Sequence, residues 1–391
     1  MIINKRQILF LLYFVSFELI AIANGLISSS IYGTDFRTLC IYLWMTIAVI
    51  FYGFRIPKKF DRIEKFIFSF LAVVCIEIIV SKFSYGQSWM SSLKMGYFYL
   101  VFLVYLILDR MICSVSDYIK FRKALLGFVV CFAFLGLIIP SYRFLFYELL
   151  ISLPLFFEMF FNKKNWKNLL LLALIIVYMV ITGDNLSKRL VIAACLAVEV
   201  LIHINNNTSD NNKRLINKRK IQKILIALVL FCVFLYMPIS SFINQMINAD
   251  AGLLVRVEAY SYYLNQFLSK PLLGMGLIDP NASITNYYLV AGIRANGLSQ
   301  YFLDDIGIVG FINQFGLVGI CLLIYLIRTM FQFIFEDKNQ IIIENLMLFI
   351  VYCIMNIALL PTSKTVLPMF VIMLIIMKKN KQFCREMRMN K

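Results

Sequence analysis

Long, nearly unbroken apolar runs limit what this chain can fold into more than any other feature of its sequence. Ile8–Ile27, Leu39–Phe54, Leu169–Ile181 and Gly307–Ile327 are examples. About twenty apolar residues wound as an α-helix cross the hydrocarbon core of a bilayer. A helix also satisfies its backbone N–H and C=O groups internally, which lipid requires. Composition agrees: 61% of residues are hydrophobic and 15% charged, against roughly 25% charged in a soluble domain. The alternation of a membrane β-barrel is absent. The expected fold class is all-α, a polytopic transmembrane helix bundle. Its expected spans are 7–30, 38–54, 64–82, 94–109, 123–140, 143–161, 168–182, 189–204, 221–242, 305–328, 341–360 and 364–377.

A net charge of +17 would fit nucleic acid if the cations were clustered for it. Their placement argues otherwise, and no nucleic-acid partner is expected. With the N-terminus inside, 28 of the 38 Lys and Arg fall in inner segments and 10 in outer ones. This is the positive-inside bias of a multi-pass membrane protein, and both termini are expected in the cytoplasm. Lys5, Arg6 and Ala21-Ile22-Ala23 imitate a cleaved signal peptide, but Glu18 inside the apolar stretch favours a retained first span. The nine cysteines are scattered without a CxxC pair, and His203 is the single histidine. They read as apolar fillers and give no zinc site. No cofactor and no metal are expected.

The loops are mostly short, with two exceptions. Asn205–Lys223 is Asn-rich and then basic, a solvated loop able to touch anionic head groups. Ile243–Asp304 is by far the longest outer segment. The chain therefore divides into a first transmembrane block (1–242), a long extracytoplasmic loop (243–304) and a last block with a basic cytoplasmic tail (305–391). Within the loop, Leu253, Val257, Tyr260, Leu264 and Phe267 recur at helical steps, predicting an amphipathic helix at the membrane surface. Pro271 after Ser269-Lys270 ends it. Gly274-Met275-Gly276 supplies a tight turn.

The outer cations Lys188, Arg189, Arg256, Lys270 and Arg294 are candidates for binding phosphate; they serve equally as ordinary loop charges. The outer acids Glu258, Asp279, Asp304 and Asp305 are candidate general bases, with helix capping as the alternative for Asp304. Glu18, Glu77, Glu148, Glu158 and Glu199 lie inside spans, where a carboxylate costs several kcal/mol unless paired, protonated or wet. Each is a functional candidate, or a helix–helix hydrogen-bonding group. The most distinctive stretch, Asp304 to Gly319, spaces glycines in a way that allows close helix packing.

The array LLVRVEAYSYYLNQFLSKPLLGMG, followed by a polar loop and DDIGIVGFINQFGLVGI, resembles the oligosaccharide repeat-unit polymerases (the Wzy type), which belong with the O-antigen ligases. The family pattern is an Arg opening a loop helix, a Pro-x-x-Gly-x-Gly turn and an acid-x-Gly-x-x-Gly entry to the next helix. Here these are Arg256; Pro271, Gly274 and Gly276; and Asp305, Gly307 and Gly310. TGDNLSKR is similar to a further family loop, with Lys188 and Arg189 displaced along it. The detailed resemblance covers about eighty residues. Ligases and many relatives carry a His in the long loop, and this loop has none.

The resemblance implies a metal-independent glycosyltransferase of the bacterial cytoplasmic membrane, acting on its outer face. It would join oligosaccharide repeat units carried on undecaprenyl diphosphate, as donor and acceptor, into a capsule, exopolysaccharide or O-antigen. Arg256, Arg294, Arg189 and Lys188 would bind the diphosphate. Asp305, Asp304 or Glu258 would serve as the catalytic base that takes the proton of the acceptor hydroxyl, with Asp279 a further possibility. Tyr260, Tyr262, Tyr263, Tyr287 and Tyr288 would stack on sugars or form an interfacial belt. Membrane lipid, a chain-length regulator and a flippase would be partners. A lipid-linked oligosaccharide flippase or transporter and a polysaccharide ligase are the competing readings. No internal repeat of the transporter kind is visible.

Overall fold

The computed structural model describes residues 5–23, 30–31, 34–53, 59–138, 146–162, 165–181, 191–199, 251–279, 306–335, 341–358 and 366–389. The helices are α1 (Lys5–Ala23), α2 (Phe36–Tyr52), α3 (Arg62–Tyr85), α4 (Trp89–Gly96), α5 (Leu103–Met111), α6 (Val115–Ile138), α7 (Phe146–Asn162) and α8 (Trp166–Ile181). They continue with α9 (191–199), α10 (Ala251–Ser269), α11 (Gly307–Ile334), α12 (Ile343–Ala358) and α13 (Leu367–Met389). A two-residue ladder, Ser30–Ile31 with Thr34–Asp35, is the strand pairing among the described residues. The protein is thus a helical bundle. A described helix lies over every expected span except 221–242, which lies outside the described residues.

Four segments are long and apolar enough to cross a membrane: Arg62–Tyr85, Trp89–Met111, Val115–Ile138 and Gly307–Ile334. Large apolar side chains point outward from them and from α2, among them Ile50, Phe83, Met90 and Ile324. Such exposure is costly in water and natural against lipid. The chain is membrane-embedded on these grounds.

Local chemistry sets the helix ends. Asp61 caps α3 with a reciprocal box: its side chain accepts from the Glu64 N–H and the Glu64 carboxylate accepts from the Asp61 N–H, both at 2.7 Å. Two N–H groups orphaned by the helix start are satisfied this way. The segment 94–109 departs from a single regular helix, because a 3-10 turn over Tyr97–Phe102 joins α4 to α5.

Leu367–Met377 in α13 is buried on all sides, as an all-round apolar helix in a bundle centre must be. Phe70 on α3 meets Phe311 and Phe315 on α11, with ring centroids 6.2 and 5.2 Å apart. Phe10 on α1 packs edge-on against Phe121 of α6, and Trp44 of α2 donates to the Leu9 carbonyl at 2.8 Å.

The helix ends assigned to the inner side by charge come together at one end of the bundle. Arg6 pairs with Asp117, and Lys378 with Asp61 and Asp109. Lys379 reaches Asp109 at 2.8 Å, and Arg122 reaches Glu344 at 2.8 Å. In the basic tail α13 runs on to Met389, and its first lysines form part-buried ion pairs. Asn380 extends the network, donating to Glu344 and Asn345.

Candidate functional site

The long loop begins with α10, which ends at Ser269 as Pro271 requires. Its buried seam is Ala259 and Tyr263, packed with Ile306, while Leu264 and Leu268 are exposed. This rotates the expected apolar face. Leu264 turns outward, and Tyr263, fully buried, is closed to sugar stacking. The seam is chosen by its partner: the Tyr263 carbonyl accepts from Asn313 Nδ2 at 2.9 Å.

After Lys270 the chain turns back and enters a break in α11. Gly316 adopts φ 61°, ψ −152°, outside any helical conformation. In an unbroken helix Leu317 and Val318 would donate to the carbonyls of Asn313 and Gln314, four residues earlier. Here Leu317 donates to Pro271 O at 2.7 Å and Val318 to Leu272 O at 3.4 Å. The Asn313 and Gln314 carbonyls accept instead from Met275 and Gly276, at 2.8 and 3.1 Å. The loop backbone has replaced the helix's own partners, so the break leaves none of these four groups unsatisfied.

That exchange needs two bare backbones in contact. A Cβ on Gly274 would lie 2.3 Å from the Asn313 carbonyl oxygen, and one on Gly316 would lie 2.4 Å from that of Leu272. Both glycines have positive φ, where a side chain is strained even with room. The packing seam expected of these glycines is thus corrected at Gly316, which admits loop backbone into a helix rather than one helix against another.

The inserted segment is held from the end of α3 and the turn that follows it. Gln87 donates through Nε2 to the Leu277 carbonyl at 3.1 Å and accepts through Oε1 from the Asp279 N–H at 2.8 Å. It pairs with the segment as a neighbouring strand would. Tyr85 donates to Met275 Sδ at 3.4 Å and accepts from Lys270 Nζ at 2.8 Å.

Glu77 lies on the buried face of α3, in line with Phe66, Phe70, Val73 and Val74. The absent side chain of Gly276 leaves room for it: a Cβ there would sit 3.1 Å from Glu77 Oε2 and 3.0 Å from Ser81 Oγ. Glu77 is 0% exposed, and neither of its oxygens has a hydrogen-bond partner among the described residues. Ser81 Oγ and Asn313 Oδ1 are buried and unpartnered as well. A broken helix, an inserted loop and buried polar atoms with bonding capacity left over make up the candidate site. A buried carboxyl of this kind has the capacity to bond a hydroxyl or pair with a cation.

Of the expected site residues, Asp304, Asp305, Arg294, Arg189 and Lys188 lie outside the described residues. Arg256 is on α10 with its side chain outside the described part; Glu258 is half-buried there. Two residues apart on a helix, these positions do not share a face. Periodicity puts position 256 on the seam of Ala259 and Tyr263, which packs on Ile306 directly after Asp304-Asp305. Asp279 is buried at the end of the inserted segment. Of the acids expected inside spans, Glu148 and Glu199 are buried like Glu77 and Glu158 partly so; the side chain of Glu18 lies outside the described part.

The roles of Gln87, Ser81 and Asn313 escape sequence reasoning. The available signal was Asn313-Gln314 two residues before a glycine in an otherwise apolar span, since polar backbone at membrane depth needs a partner. Comparisons with protein-family models, with curated proteins and with solved structures return no match.

Proposed function

We propose that the protein is a membrane-embedded glycosyltransferase that polymerises undecaprenyl-diphosphate-linked oligosaccharide repeat units on the outer face of the cytoplasmic membrane. One observation carries this reading. The Pro271-x-x-Gly274-x-Gly276 turn and the helix opened by Gly307 and Gly310, distant in sequence, are joined by four backbone hydrogen bonds. These are the elements on which the resemblance rests. Their junction is accompanied by packing of α10 on the start of α11, through Ala259, Tyr263 and Ile306.

In this reading Arg256, Arg294, Arg189 and Lys188 stabilise the charge that develops on the departing diphosphate. Asp305, Asp304 or Glu258 takes the proton from the attacking sugar hydroxyl as the glycosidic bond forms. No metal or cofactor enters the scheme.

The test is elongation by purified protein of lipid-linked repeat units, read as chain length on a gel with a chelator present. Arg256→Ala should cost about a hundredfold in rate, the usual size of one lost electrostatic contact to a transition state. Arg256→Lys should restore part of it, since lysine keeps the charge without the planar pair of donors. Long polymer made at the normal rate by Arg256→Ala would remove the clamp from the scheme.

The broken α11 beside buried Glu77 supports a second reading, a transporter of lipid-linked oligosaccharide. Transporters build central sites from interrupted helices. A deletion strain separates the two. Single repeat units on lipid accumulate outside the membrane if a polymerase is missing and inside if a flippase is missing.

A further inference from the structure

We infer that the basic end of the bundle carries a phosphate-binding pocket, formed between α3 and α11, that takes the head group of an anionic lipid. A cavity of about 230 Å³ lies there, lined by Arg62, Tyr325, Arg328, Thr329 and Gln332. The acids described at this end are engaged elsewhere: Asp61 and Asp109 with Lys378 and Lys379, Asp117 with Arg6, Glu344 with Arg122, and Glu64 with the Asp61 N–H. Arg62 and Arg328 remain, with no acidic partner among the described residues, on the walls of one cavity. Two guanidinium groups facing one space are a planar, multiply donating set suited to phosphate oxygens.

A third cation borders the pocket. Lys381 donates to the carbonyl of Gln332. Burial, and then the positive charge of Arg62, push its amine below the usual lysine range. An anion in the cavity would offset that repulsion.

The level of the pocket favours a lipid as the source of the phosphate. Arg328 follows the apolar stretch of α11, and Tyr325 one turn earlier has the amphipathic character of an interfacial anchor. Ile324, on the same face of α11 as Arg328, is 60% exposed and offers hydrocarbon contact just below the head group. Basic pockets between membrane helices bind acidic head groups in this manner.

The experiment is native mass spectrometry of the full chain released from membranes of mixed phosphatidylglycerol and phosphatidylcholine, compared with Arg62→Gln/Arg328→Gln. Each cation near an anionic membrane surface contributes about fivefold in affinity, so the double variant should lose phosphatidylglycerol about thirtyfold. Lys167→Gln, an exposed cation on α8, which contributes nothing to the lining of the pocket, should retain it. Arg62→Lys/Arg328→Lys should retain part, which separates a lost site from a misfolded chain. Bound lipid unaffected by the double variant, or no preference for phosphatidylglycerol in the wild type, would overturn the proposal. Inorganic phosphate is the second probe, titrated against lipid-free protein in detergent. Tight binding that depends on both arginines would keep the pocket and assign it to soluble phosphate, overturning the lipid as its source.

Discussion

At the basic end of the bundle, Asp61, Asp109, Asp117 and Glu344 each face a Lys or Arg from another helix. At the loop end, Glu77, Ser81 and Asn313 keep buried oxygens that no protein group engages. Both ends hold polar side chains in a chain that is 61% hydrophobic, so composition does not separate them. Pairing does. A buried ion costs several kcal/mol unless its charge and hydrogen-bonding capacity are matched. The basic end matches the charges and ties together α1, α3, α5, α6, α12 and α13. The loop end leaves part of it unmet, beside a helix opened to admit another segment. Local departures from the rules of stable folding concentrate where a protein works.

The largest effect that would break this comparison concerns the seating of the loop. Gly274→Val puts a branched side chain where even a Cβ is 2.3 Å from the Asn313 carbonyl oxygen. The loop must leave, and four backbone groups of α11 and the loop lose their partners. Each orphaned buried group costs on the order of 1–3 kcal/mol. Gly274→Val should therefore fail to accumulate or melt far below the wild type in detergent. Its 270–279 segment should become open to protease. Wild-type melting and an unchanged cleavage pattern would mean that the loop does not occupy the break.

That junction marks the limit of what the sequence discloses. Helix positions are legible because apolar runs of bilayer length leave little choice, and Pro271 stops α10 where expected. The gathering of the basic helix ends at one end of the bundle is legible because Lys and Arg collect in those segments. The break at Gly316 is not, because a glycine in an apolar run has the same signature whether it packs a helix or admits a loop. The seam of α10 was misplaced for a related reason. Leu264 and Tyr263 are adjacent and both fit an apolar stripe. Only the hydrogen bond from Asn313, fifty residues away, decides between them. Glu77 was one of five acids inside spans, and the sequence alone gave no reason to prefer it.

A second, smaller effect probes the paired end. Arg122 and Glu344 form a bond of 2.8 Å, with the Glu344 side chain 4% exposed. Arg122→Leu leaves that carboxylate buried with its charge uncompensated, which typically costs about 3–5 kcal/mol. Arg122→Leu/Glu344→Leu removes both charges and should recover most of the loss. Thermal melting of the two variants in one detergent checks this. A double variant no better than the single would show that the side chains, not the charge pair, carry the packing.

Glu77 should behave in the opposite sense, which is the sharpest use of the contrast. Its carboxyl has no partner to lose, so Glu77→Leu removes a buried polar group and keeps most of the volume. Stability should stay within about 1 kcal/mol of wild type or rise. The activity of the protein, polymer formation in the proposed reading, should fall with both Glu77→Leu and Glu77→Gln. A melting temperature lowered as much as in Arg122→Leu would assign Glu77 to the scaffold and erase the distinction between the ends.

The smallest expected effect is at Lys270, the one cation that touches the inserted segment's support. Its amine lies 2.8 Å from Tyr85 Oη and 4.3 Å from the centre of the Tyr85 ring. On geometry alone this could be a clamp. Exposure decides against it, because an ammonium in reach of water exchanges a protein contact for a solvent contact at little cost. Exposed cation–π contacts are worth about 0.5–1 kcal/mol. The loop is meanwhile held by four backbone bonds and by Gln87, which Lys270 does not touch. Lys270→Ala should leave the melting temperature and the cleavage pattern of the loop nearly unchanged, and shorten polymer only slightly. If Lys270→Ala instead released the loop as Gly274→Val does, the backbone junction would not be self-sufficient. The seating of the loop would then depend on a side chain at the surface.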